Sequence, residues 1–478
     1  MSSKGLNRRE FLWGLSQSAL TSLVLARTLQ QVAASDIKPS VLVLGAGLSG
    51  LYTALLLEAK GLAVTVVEAR DRVGGRVHTL DDLPGNPEAG GQVFSEEYQR
   101  LITLAEQLQV PNEPKSPLGK EQLLYVRGQS VLTSDWTASA ANQLAQTERN
   151  LLPPQLLTHY LNQNNPLEDA TAWTKPNYAY LDIPLDKYLR DLGASKEALR
   201  LINSNPSSSI NSIETTSALY TLQKAQRRSN KPSKQSLHIK GGNSRLPEKM
   251  AAALKSPVQT NKVVVSIRSR DNGVEVKCSD GSKFQADYVV VTLPFSVLRQ
   301  VKIDPPLQGA QAEAVGELPY TTVTQIYLAV RQSFWESDGY PAKMWTDTQL
   351  QSIFPNRDAS GRVLGLVCFV NGAMAQQLDA MSPEVLAQKV KSELGRIRPA
   401  AAANVEIARV VSWGRDPFAR GAFSHFAPGQ IRRFQDKMAK PWKRIHFAGE
   451  HTAIASPGME SALESALRVA SEILDRIG

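Results

Sequence analysis

Cysteine is nearly absent from this chain: Cys278 and Cys368 are the only two in 478 residues. That excludes a disulfide-built scaffold and most iron–sulfur or structural zinc centres, which need larger thiolate sets. One disulfide is allowed, and nothing in the spacing argues for it. Histidine is scarce too, six in all and without a metal-ligand spacing, so no metal is expected. No apolar run reaches the roughly 20 residues of a stable membrane span. Acids fall short of bases, 45 against 54, a net charge of +9. Four of the bases (Lys4, Arg8, Arg9, Arg27) and one acid (Glu10) precede Ser35, leaving 50 − 44 = +6 for the rest. So small a surplus suits an anionic cofactor and does not specify nucleic acid.

What is present is a globular composition, 42% hydrophobic and 21% charged. At roughly 150 residues per domain the length implies two or three domains. Asn7-Arg8-Arg9-Glu10-Phe11-Leu12 opens the chain, followed by a modestly apolar stretch to Val32 and the small residues Ala33-Ala34. Residues 1–34 resemble a twin-arginine export signal, which implies the export machinery as a partner and a bacterial periplasmic location. If retained, the segment is expected to attach to a membrane surface.

Val41 to Leu44 reads as a buried parallel strand, and Gly45-Ala46-Gly47-Leu48-Ser49-Gly50 follows at once. A helical pattern then runs to Lys60, and a second apolar strand ends in Glu68. Gly45 suits a tight turn, Gly47 a close approach to pyrophosphate, and Gly50 close helix–strand packing. Glu68 stands where a carboxylate receives ribose hydroxyls. Ala69-Arg70-Asp71-Arg72-Val73-Gly74-Gly75-Arg76 adds a second glycine-rich segment, with Arg72 and Arg76 expected to face phosphate.

Together with Glu88-Ala89-Gly90-Gly91-Gln92, this composite resembles the flavin-containing amine oxidase family (monoamine oxidase and L-amino-acid oxidase-like). The resemblance continues through Lys240 to Pro247, the strand near Val264, Ala286 to Pro294, and Ile445 to Thr452. Ser456-Pro457-Gly458-Met459 then opens a last helix, to about Ile477. The resemblance implies an α/β fold. Its FAD-binding Rossmann-like domain is assembled from 39–95, 238–310 and 440–478. A mainly helical cover and substrate domain is expected over 96–237, and a substrate-domain sheet with helices over 311–439. Helices are expected at Glu96–Gln109, Ser139–Arg149 and Leu185–Asn203, and the basic run Lys224 to Lys234 reads as a solvated loop.

The cofactor implied is FAD, with Val264 beside the adenine, Gly449 and Glu450 at the ribityl chain, and the helix beginning near Gly458 and Met459 facing the pyrimidine oxygen. Gly91 and Gln92 run beside the flavin. Ala422 stands where many relatives attach the flavin through cysteine, which implies non-covalent FAD. Of the family's two aromatic-wall residues, Phe423 matches one and Gly458 the other, so Trp413 or Phe418 is expected to supply the missing ring. Gln325 falls where most relatives carry a lysine near flavin N5, with Thr324 and Thr322 as alternatives. Val93 occupies the place of the arginine that amino-acid oxidases use for the substrate carboxylate, Ile353-Phe354 stands near the place of their tyrosine, and Arg415 or Arg420 offers another geometry.

The implied reaction is oxidation of a C–N bond to an imine, hydrolysed to a carbonyl compound, with electrons passing to O2 or another acceptor. Two substrate classes stay open at this point: an amine, or an L-amino acid giving 2-oxo acid and ammonia. A homodimer also stays open.

Overall fold

The computed structural model describes residues 39–478 except 117, 118, 120, 164, 207–209, 230–234 and 359. The expected export segment lies outside the described residues. The architecture is α/β, with a Rossmann-like dinucleotide-binding layer and a mixed-sheet and helical layer beside it. Four parallel strands form the first sheet: β1 (Ser40–Leu44), β2 (Ala63–Val67), β3 (Tyr288–Val291) and β4 (Ile445–Phe447), in the order β2-β1-β3-β4. Val41 to Leu44 are at most 1% exposed, as an apolar strand covered on both faces must be.

Two helices cover one side of this sheet. Helix α1 (Leu48–Ala59) follows β1 directly, and α2 (Gly458–Ile477) closes the chain. Leu51 and Leu55 of α1 share a buried cluster with Leu463, Ala466 and Val469 of α2. Ser49 and Ser465 exchange a 3.0 Å hydrogen bond across the pair. The turn between β1 and α1 is tight enough to demand glycine. Gly45 adopts φ +103°, and a Cβ on Gly50 would stand 2.0 Å from the Gly45 carbonyl oxygen.

The second sheet has seven strands, in the order Val405–Ser412, Val323–Val330, Val363–Asn371, Ser352–Arg357, Met344–Thr346, Leu123–Val126 and Gln129–Leu132. Its last two strands come from the segment expected to be mainly helical. Leu123 to Val126 are wholly buried and pair in parallel with Met344–Thr346, a long-range pairing that sequence periodicity does not report.

The helical layer also differs in detail. Gln99–Gln107 is a helix, within the expected Glu96–Gln109. Leu185–Asn203 divides into Leu185–Asp191 and Lys196–Ser204, because Gly193 turns at φ +89° and Ser195 caps the second piece. Ser139–Arg149 forms turns: Asn142 donates to Trp136 and Arg149 carbonyls and accepts from Leu144, so its amide competes with helical bonding. Among the described residues, no helix is long and apolar enough to cross a membrane.

Gly50→Ala is expected to cost about 3 kcal/mol or more, since the added Cβ meets backbone that cannot rotate aside. Denaturant unfolding checks this, and a midpoint equal to the parent's would contradict the packing.

Candidate active site

A cavity of about 640 Å³ runs between the two sheets. At one end it meets Gly45, Gly47, Ser49, Glu68, Ala69, Arg70, Gly75, Lys262 and Val264; at the other, Gln325, Phe369, Phe423 and Phe426. Arg76, Gly91, Gln92, Gly449, Glu450, Gly458 and Met459 line its length.

At the nucleotide end, Glu68 is 4% exposed and receives the backbone N–H of Ala46 at 2.8 Å and of Arg70 at 2.9 Å. The Ala46 amide is therefore spent on this carboxylate, and Ala46 itself is fully buried. Its expected contact with the cofactor is corrected to a role in fixing Glu68. Each carboxylate oxygen keeps a further lone pair for a hydroxyl donor. A Cβ at Gly47 would meet nothing within 4 Å, so the backbone there is open to a ligand. Arg70 pairs with Asp416 at 2.5 Å and lies over the Phe418 ring, which places Phe418 at the nucleotide end rather than opposite Phe423.

Arg72 does not spend its charge as expected, whereas Arg76 lines the cavity and spends part of its charge on the protein. Arg72 donates to the carbonyls of Val73, Gly75 and Val77, holding its own loop. Arg76 reaches Ala422 O at 2.8 Å and Glu450 at 3.0 Å. A partly buried guanidinium is satisfied by whichever acceptors the fold delivers, and here they are protein atoms. Glu450 also receives the Ser424 N–H at 3.1 Å and the Ser424 hydroxyl at 3.0 Å. Burial pushes the Glu450 pKa up, yet Arg76 and these donors outweigh it and hold the value below the usual carboxylate range.

Next along the turn, His451 is 3% exposed, and burial brings its pKa down to about 4, so the ring is neutral near pH 7. Among the described residues, neither ring nitrogen has a hydrogen-bond partner. The ring packs against Phe295 with centroids 4.3 Å apart. Glu464 shapes the rest of the turn by accepting the N–H groups of Ile454, Ala455 and Ser456. Helix α2 then begins at Gly458, and no side chain caps it. Unpartnered buried nitrogens, an open glycine backbone and an uncapped helix end are features that a bound dinucleotide satisfies, so the residues present fit FAD.

At the far end, strand alternation decides which residues enter. Gln325 is 2% exposed, lies opposite Phe369, and shares the cavity with it and Val323. Thr324 points the other way and donates to Asp379, while Thr322 binds Asn211 through its backbone. The Gln325 amide is clamped: its oxygen accepts from Gln92 at 3.0 Å and Tyr327 at 2.7 Å, and its nitrogen donates to Ala89 O. Trp413 also donates to Ala89 O, at 2.8 Å. Phe423 lines the cavity. At Gly458, which adopts φ +52°, a Cβ would stand 2.8 Å from the Tyr98 hydroxyl. Tyr98 therefore stands against Gly458, and Trp413 lines the same cavity.

Sequence reasoning missed Tyr98, Trp173, Tyr220, Lys224, Phe369 and Phe426, all in the cavity wall. Lys224 is a correction: it stands on the helix Ala218–Ser229, not in a solvated loop. The 220, 223, 224 spacing marks one helix face and was the available signal. Ile353 is fully buried in another core, and neither Arg415 nor Arg420 lines the cavity. Both cysteines are free, buried and away from it. Among the described residues, no group of three or more His, Cys, Asp or Glu side chains is placed to hold a metal ion.

Residues 48–474 match the family model described as flavin containing amine oxidoreductase. The chain belongs to this family. As a member it is a flavin-dependent oxidase of the C–N bond of an amine or amino acid, and it binds FAD. It is 27% identical over 457 residues to an L-amino-acid oxidase of Siganus canaliculatus, covering 91% of this chain and 85% of that protein. It is 26% identical over 463 residues to L-amino acid oxidase Bs29 of Bothriechis schlegelii, covering 91% and 89%. Its fold is shared with cyclohexylamine oxidase from Brevibacterium oxydans IH-35A, at a TM-score of 0.77 and 22% identity over 92% of this chain and 99% of that one. A wild-type putrescine oxidase bound to putrescine gives 0.74 and 22%, over 92% and 99%.

Behind the Gly90-Gly91 turn of this amine oxidoreductase, Glu88 is 8% exposed and accepts from Asn243 N and the Thr79 hydroxyl. Burial pushes its pKa up to about 7. A folded-state value above the unfolded one favours the protonated form, so Glu88 contributes its full stability below about pH 4.5 and loses it as pH rises through about 7. Glu88→Gln is expected to flatten this part of the pH–stability curve, by on the order of 2 kcal/mol. Thermal unfolding from pH 5 to 8 checks it, and parallel curves for parent and variant would reject it.

Proposed function

We propose that the substrate is an amine whose apolar or aromatic side is received by Phe369, Phe423, Trp173, Tyr220 and Phe426, with its nitrogen-bearing carbon presented between Phe423 and Tyr98. The observation that carries this reading is one cavity that joins a dinucleotide cradle to an aromatic box. Bound FAD supplies the two-electron acceptor for oxidation of the C–N bond. Of this chain's residues, Glu68 would receive the ribose hydroxyls, and the open backbone at Gly47, with Gly75 beside it, the pyrophosphate. Val264 would border the adenine. Gly449, Glu450 and His451 would border the ribityl chain, and Gly458 and Met459 would turn the positive end of α2 toward the flavin's pyrimidine oxygen. Gln325 and Trp413 hold the Ala89 carbonyl, with Gln92 bracing the Gln325 amide. The aromatic wall orients a neutral amine, and general acid–base side chains are not required for that task.

Gln325 brings no positive charge to the flavin edge. This supports slow transfer of electrons to O2, or transfer to another acceptor. Export by the twin-arginine route to the periplasm rests on Arg8-Arg9 and the segment after them, and cell fractionation of an Arg8→Lys, Arg9→Lys variant tests it.

A second reading, an L-amino-acid oxidase releasing 2-oxo acid and ammonia, is favoured by the names of the relatives matched over nine-tenths of the chain. Anaerobic titration of the holoenzyme separates the two. Amines alone should bleach the flavin absorbance on the first reading, and L- but not D-amino acids on the second. An unchanged spectrum with both classes would reject the function. With Ala422 at the family's attachment point, acid precipitation should leave the flavin in the supernatant, and a coloured pellet would reject non-covalent binding.

A further inference from the structure

We propose that Glu97 is a specificity residue that receives a second, protonated nitrogen of the substrate at the rim of the cavity. The substrates it favours are amines that carry a distal ammonium group. This deepens the proposed function and rests on its reading that C–N oxidation takes place in this cavity.

Among the described residues, the acids that line the cavity are Glu68, Glu97 and Glu450. Two of them are committed within the chain. Glu68 receives the N–H groups of Ala46 and Arg70, and Glu450 receives Arg76 and both donors of Ser424. Glu97 is half-buried, and among the described residues its carboxylate is paired with no cation or hydrogen-bond donor.

Local sequence offers Glu97 two structural uses, and the fold gives both to Glu460. Glu97 stands just ahead of the helix Gln99–Gln107, where an acid ordinarily satisfies the free amides of the first turn. Those amides are taken: Glu460 of α2 accepts the Arg100 N–H at 2.9 Å and the Leu101 N–H at 3.0 Å. Glu97 is also three residues from Arg100, the spacing of a helical ion pair. The Arg100 guanidinium instead reaches Glu460 at 3.1 Å and the Ser456 hydroxyl at 3.1 Å. Neither capping nor local ion pairing therefore accounts for this carboxylate.

Its position suits a substrate contact. Val93, 41% exposed, and Ser95, paired with the exposed Ser236, line the cavity with Glu97, so this segment forms part of the rim. The Glu97 N–H is held by the Ser95 hydroxyl at 3.4 Å. The next residue, Tyr98, reaches inward to Gly458 at the start of α2. The Lys224 ammonium, also in the cavity wall, is engaged by the Tyr220 ring, 4.4 Å from its centroid. A substrate whose reacting nitrogen lies between Phe423 and Tyr98 thus has a carboxylate within the same wall for its other end. The reacting nitrogen gives up electrons as the neutral amine, whereas a distal nitrogen stays protonated. A half-buried carboxylate holds that ammonium more strongly than water-exposed charge does.

The test uses purified holoenzyme of the parent, Glu97→Gln and Glu97→Lys, each checked for FAD content and melting temperature. Anaerobic flavin reduction is followed with two pairs of equal chain length: hexylamine with 1,6-diaminohexane, and L-norleucine with L-lysine. The first pair serves an amine oxidase and the second an amino-acid oxidase. In the pair that reduces the flavin, Glu97→Gln should lower the preference for the ammonium-bearing member, read as the ratio of apparent Kd values, by about 5- to 20-fold. Glu97→Lys should lower it further and tighten 6-aminohexanoate, which ends in a carboxylate; a residue that only supports the fold would not reverse the preferred charge. A ratio unchanged in both variants overturns the assignment while leaving C–N oxidation standing. If neither variant retains FAD, the parent decides: its ratio should fall as salt is raised from about 0.02 to 0.5 M, and a constant ratio overturns the assignment. Failure of all four probes to reduce the parent's flavin overturns both readings.

Discussion

Glu450 gathers the stretches of chain that make the cavity. Its carboxylate receives Arg76 from the loop after β2 and both donors of Ser424, while its own backbone continues from β4. Arg76 extends the tie to Ala422 O. A buried carboxylate is costly unless its partners arrive in good geometry, so these segments are held to one arrangement. The turn that follows is held in the same way, by Glu464 on three successive N–H groups. The N-terminus of α2 and the unpartnered ring of His451 are placed as a consequence.

The second sheet docks on this frame through side chains that grip backbone. Gln325 and Trp413 both donate to Ala89 O, and Tyr327 reaches Glu88 O at 2.8 Å. The short Glu88–Gly90 strand is thus shared between the layers. The two halves then divide the work. The nucleotide half balances its arginines and Lys262 against its own acids, whereas the substrate half is aromatic, with Lys224 set over Tyr220.

Much of this was legible from local pattern. The run Val41 to Gly50 with Glu68 beyond it and the helix from Gly458 to Ile477 each follow from residues close together in the chain. Their geometry is set by backbone periodicity and by glycine's freedom at Gly45, which neighbouring residues suffice to express. The seven-stranded sheet was only partly legible, because Leu123–Val126 finds its partner more than 200 residues away, at Met344–Thr346.

By itself, then, the amino-acid sequence determined the class of fold, the flavin and the C–N chemistry, all written in contiguous motifs. Only the tertiary structure decided how the charges are spent. It turned Arg72 onto its own loop, gave Arg76 to Glu450, set the Tyr98 hydroxyl against Gly458, and brought Lys224 from an apparent surface run to the aromatic end of the cavity. The reason is physical: a buried donor or charge takes the partner that packing delivers, and that partner usually lies far away in the chain.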